Sequence, residues 1–140
     1  MEERDYLMRQ FNQFARAMGK ILAELLKLKD QGNTPVTIAT VQQQLKTNLN
    51  LTIEDIVNIP AGHFIQKFID DFDADYSGFE DLANLLYQVA HLFEAQNEME
   101  KAVPLYHRAL LVYQYLTNTG NTFSFEVHLR IGELRNILEN

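Results

Sequence analysis

The sequence predicts an all-α protein, a helical bundle of about six or seven helices. Three observations carry this. Only 6 Gly and 3 Pro occur in 140 residues, which leaves long unbroken segments and few turns for a β fold. No stretch alternates apolar and polar residues over a strand's length. From the start, apolar residues recur at spacings of three and four. With 46% hydrophobic residues the chain can bury the core of a single domain.

The first helix is predicted over residues 3–29. Leu7, Phe11, Phe14, Met18, Ile21, Leu25 and Leu28 form a seam with the a/d spacing of packed helices. Met8, Ala15, Leu22 and Leu26 widen it into a stripe that faces a core, or a second copy of the chain in a homodimer. Gly32 stops this helix, and Thr34 before Pro35 reads as the cap and first turn of the next, with Ile38, Val41 and Leu45 inward. Thr52 and Asp55 form a capping box for a short helix reaching Ile59. Pro60 begins another helix, with Phe64, Phe68 and Ile69 as core.

Ser77 and Glu80 read as a second capping box, opening a helix to about Gln96 along Leu82, Leu85, Leu86, Val89, Ala90 and Phe93. A helix over about 98–116 contains Pro104, which removes one backbone donor and costs roughly 3 kcal/mol in a helix interior. Gly120 ends that segment, and a last helix covers about 125–138. The domain reads as N-terminal helices (1–76) packed on a C-terminal hairpin and capping helix (77–140).

The formal net charge of −7, with no basic patch, argues against nucleic acid as a partner, because an acidic surface repels phosphates. With no cysteine there is no disulfide, thiolate metal site or cysteine nucleophile. The start, MEERDYLMRQ, lacks the pattern of a secretory signal, and no apolar run of about 18 residues could span a membrane, so a cytoplasmic setting is the expectation.

Residues 82–116, LANLLYQVAHLFEAQNEMEKAVPLYHRALLVYQYL, resemble a tetratricopeptide repeat. Ala90, Ala102 and Ala109 stand at its small positions, and Leu86, Val89, Phe93 and Tyr106 at the large ones. The wording from Ala102 to Leu110 is similar to the longer, roughly 42-residue repeat of kinesin light chains. A shift of that period sets Val89 on Ile131, Ala90 on Gly132 and Leu92 on Leu134. Leu86 falls on His128 and Phe93 on Arg135, which suits a capping helix. Asn97 replaces the usual turn glycine and tolerates the same left-handed backbone. The opening segment also resembles a family of small, uncharacterised bacterial helical proteins. The repeat resemblance implies a protein-binding scaffold whose groove would be lined by Asn84, Tyr87, His91 and Glu94. The basic and amide residues of a carboxylate clamp are missing, so capture of an acidic peptide terminus is not implied.

For chemistry, Asp71, Asp73 and Asp75 have the spacing of the first three ligands of an EF-hand, but Tyr76, Gly78 and Leu82 break its later positions. The same aspartates also read as an acidic surface. Residues 68–100 hold nine Asp or Glu and no Lys or Arg, a surface suited to a basic partner or simply a solvated helix start. None of the four histidines forms a metal motif, and no nucleophile elbow or phosphate loop occurs. The expectation is a non-catalytic module for a protein or peptide partner, with no cofactor, no metal and no catalytic residue. The alternative is a small-molecule or metal-binding protein using the His91/Glu94 groove and the acidic loop.

Overall fold

Helical periodicity runs almost end to end. The structure, a computed structural model, describes residues 2–120 and 124–139, with side chains from Gln13 onward. The expectations for Leu7, Met8 and Phe11 lie outside the described residues. Among the described residues seven α-helices follow in order: α1 (Glu2–Lys29), α2 (Thr34–Leu49), α3 (Ile53–Asn58), α4 (Phe64–Phe72), α5 (Tyr76–Ala95), α6 (Met99–Thr119) and α7 (Phe125–Glu139). A single 3₁₀ turn, Ala61–His63, precedes α4, and no strand occurs among the described residues. The all-α class is therefore as predicted.

α5 is the central helix, packed against α6, α1 and α2, while α7 lies on α6. It is buried nearly all round, from Phe79 to Phe93. α6 returns along it after a turn in which Asn97 adopts φ 62°, the left-handed backbone expected there. Ala90, Ala102, Ala109 and Tyr106 are fully buried in this hairpin. α6 continues unbroken through Pro104. Arg108 on α6 donates to the carbonyls of Val57 (3.2 Å) and Ile59 (3.1 Å), which ties down the end of α3.

α1 buries Phe14, Met18, Ile21 and Leu25, but its stripe is narrower than expected. Leu26 is 42% exposed, and Ala15, Leu22 and Leu28 are only partly covered. Phe14 joins an aromatic row, with ring centroids 5.8 Å from Phe68 and 5.6 Å from Phe72. α1 approaches α5 closely at Gly78: a Cβ there would sit 2.5 Å from Phe14 Cδ2.

Three helix starts differ from the sequence expectation. Asn33, not Thr34, caps α2, its side-chain oxygen accepting from Val36 N at 3.3 Å. Asp75, not Ser77, caps α5, accepting from Gly78 N at 2.8 Å. α5 starts at Tyr76, so Ser77 is already helical and Glu80 is free of any capping duty. Pro60 is extended (ψ 138°) and precedes the 3₁₀ turn, so α4 begins only at Phe64. The Thr52–Asp55 box at α3 is as predicted.

Candidate functional site

The residue pattern that marks one side of α5 recurs every three or four positions: Glu80, Asn84, Tyr87, His91, Glu94. This spacing lays them in a row along the helix. α6 and α7 supply the partners. Tyr113 donates to Asn84 Oδ1. Tyr87 donates to Glu133 Oε2 on α7 at 2.6 Å, and the Arg130 guanidinium lies 4.2 Å over its ring. Arg130 also pairs with Glu133 at 3.4 Å. Further along, the Tyr106 hydroxyl donates to Glu94 Oε2 at 2.7 Å and meets His91 Nδ1 at 2.9 Å. Tyr106 has one proton to give. With that hydrogen bond donated to Glu94, His91 carries its own proton on Nδ1 and donates to the Tyr106 oxygen. The Tyr87 and His91 rings meet edge to face at 4.4 Å.

The four predicted groove residues thus lie in one row, but mostly as internal partners. Tyr87 is buried, and its phenol is pushed above its ordinary value by burial and by the Glu133 hydrogen bond. Burial also holds the Tyr106 and Tyr113 hydroxyls protonated far above neutral pH. Burial lowers the His91 value; Glu94 opposes that shift, while Lys29 and Arg130 reinforce it. His91 is therefore neutral at pH 7.

Beside this row lies a cleft of about 300 Å³ between α1, α5 and α7. Leu22 and Leu26 form one wall, Leu129 and Arg130 the other, and Asn84 and Gln88 lie on the α5 side. Leu26 and Leu129 are large and exposed, at 42% and 53%. Glu80 and Glu126 also line it, as do Tyr113 and Val127, and the two carboxylates make no hydrogen bond or ion pair among the described residues. Burial raises the Glu80 carboxyl above its ordinary value, and Asp81 and Glu126 add repulsion. Of the predicted groove residues only Asn84 lines this cleft.

Sequence reasoning missed Glu80, Leu26, Leu129 and Arg130 as cleft residues. One signal was present: α7 carries Phe125 and Leu129 on the side opposite its buried Val127, Ile131 and Leu134.

The three aspartates of the acidic loop part company. Asp71 pairs with Lys67, Asp73 sits at the end of α4 in a left-handed conformation (φ 53°), and Asp75 caps α5. Among the described residues no group of three His, Asp or Glu is placed to hold a metal ion. Asp71 and Asp73 instead line a second cleft of about 460 Å³, whose other wall carries Arg16 and Lys20. No helix among the described residues is long and apolar enough to cross a membrane.

No family model, curated protein or solved structure matches the chain.

Proposed function

We propose that the protein is a non-catalytic interaction module that holds a peptide or protein segment in the α1–α5–α7 cleft. One observation carries this reading: Leu26 and Leu129 stand exposed on two different helices at the walls of one cleft, beside polar groups from α5. Paired apolar walls with a few fixed polar groups are what an extended or helical peptide needs for anchoring and orientation. The polar row favours binding over catalysis. Its tyrosines are held protonated, and His91 Nδ1 is taken up by Tyr106. The buried alanines of the α5–α6 hairpin support the tetratricopeptide-like reading, in which such a scaffold presents a groove.

A random 12-mer peptide library panned on the full chain tests the proposal. Enriched peptides are expected to lose binding to a Leu26→Ser/Leu129→Ser variant that keeps its helical circular dichroism. Peptides that bind this variant undiminished would refute the cleft as the site.

A further inference from the structure

The cleft's lining carries two carboxylates, Glu80 and Glu126, against one cation, Arg130. Glu80 comes from α5 and Glu126 from α7, so two separate helices bring carboxylates to the same 300 Å³ space. Asp81 follows Glu80 in sequence and adds to the repulsion upon it. The bases nearby are already engaged. Arg130 pairs with Glu133 at 3.4 Å and covers Tyr87, and Lys29 donates to Gln88 at 3.0 Å. The larger cleft differs: there Arg16 and Lys20 stand with Asp71 and Asp73, and the charges offset one another. Of the two clefts, only the smaller sets an unmatched acid pair beside exposed apolar walls.

We infer that the segment held in this cleft carries a lysine or arginine whose cationic group lies between Glu80 and Glu126, next to an apolar side chain held by Leu26 and Leu129. The inference rests on the peptide-binding reading above and adds the partner's charge and side-chain pattern. A partly buried carboxylate such as Glu80, repelled by Glu126, gains most from a cation placed between the two. The leucines select against a bare cation, because an ion or polyamine would leave them in water while a peptide side chain covers them. The charge term is strongest at low salt and fades as screening grows.

The test uses the full ¹⁵N-labelled chain and three capped, alanine-based helical peptides. Each has two leucines four residues apart and one variable position on the same face: lysine, norleucine or glutamate. The lysine peptide is expected to shift the amides around Leu26, Asn84 and Leu129, and to bind about tenfold more tightly than the norleucine peptide at low salt. Glu80→Gln/Glu126→Gln should erase that preference. Loss of fold does not confound this variant, since it removes repulsion and should melt no lower than the native chain. Equal binding of the lysine and norleucine peptides, or better binding of the glutamate peptide, would overturn the cationic partner and leave the cleft standing. Shifts confined to other surfaces, or none with any peptide, would overturn the cleft itself. Spermine binding as tightly as the lysine peptide would overturn the paired apolar and cationic pattern.

Discussion

Replacing Gly78 with alanine should destabilise the protein, although alanine is the better helix former. The new Cβ would lie 2.5 Å from Phe14 Cδ2 and 3.0 Å from its Cε2. Carbon atoms rest at about 3.5–4.0 Å, so one side must yield by about 1 Å. Phe14 is 3% exposed and wedged between Phe68 and Phe72, and Asp75 Oδ1 closes in at 3.3 Å. Overpacking of this kind costs roughly 1–3 kcal/mol, against a propensity gain of at most about 1 kcal/mol in the first turn of α5. A net loss of about 1–2 kcal/mol follows, or roughly 3–6 °C in Tm for a chain of this size. Urea denaturation of the native chain, Gly78→Ala, Phe14→Leu and the double variant measures it. The smaller leucine should recover part of the loss in the alanine background, with a coupling of at least about 0.5 kcal/mol. Gly78→Ala as stable as the native chain, or more so, would refute the close approach of α1 and α5 at this point.

Three further outcomes follow from the same packing and hydrogen bonding. Gly132 lies inside α7, and a methyl added there would meet nothing within 4 Å, so Gly132→Ala should stabilise by about 0.5–1 kcal/mol in urea denaturation. Asp75→Ala should cost about 1 kcal/mol by loss of the α5 cap, whereas Ser77→Ala should stay within about 0.5 kcal/mol; the reverse order would return the cap to Ser77. His91 has a folded pKa depressed below 6.5, so the unfolded chain takes up the proton first. Its contribution is complete above about pH 6.5 and is lost as pH falls through the folded value, a dependence that His91→Gln should flatten in urea titrations at stepped pH.

The helices were legible because their signals are local. The Thr52–Asp55 box, the left-handed Asn97 turn and the stop at Gly120 are each set within a few residues. Competing local signals were harder. Asp75 and Ser77 can both cap, and choosing between them needs the packing of Gly78 beneath Phe14, a contact 64 positions away in sequence. The groove row on α5 was readable as a face, since spacing alone aligns Asn84, Tyr87, His91 and Glu94. Its partners were not, because Glu133 and Arg130 reach it from a helix whose docking no pattern in α5 encodes. Leu26 falls within the predicted core-or-dimer stripe yet lines a cleft, for a related reason. Heptad spacing tells which residues share a stripe, but the neighbouring helices decide how wide a stripe they cover.

The row of polar residues on α5 therefore changes meaning once α7 is in place. α7 buries only Val127, Ile131 and Leu134 among its described residues, a thin apolar seam for a 15-residue helix. The Tyr87–Glu133 hydrogen bond and the Arg130 guanidinium on the Tyr87 ring add a directional clamp to that seam. Apolar contact fixes how close two helices come, whereas a two-point polar clamp fixes their register. Register is what a cleft wall needs. Sliding α7 by one turn, about 5.4 Å, would carry Leu129 away from Leu26 and Glu126 away from Glu80. Tyr87 is thus best understood as a positioning residue for the opposite wall of the cleft, and the chemistry left open to a partner lies with the residues that the clamp leaves uncommitted: Leu26, Leu129, Glu80 and Glu126.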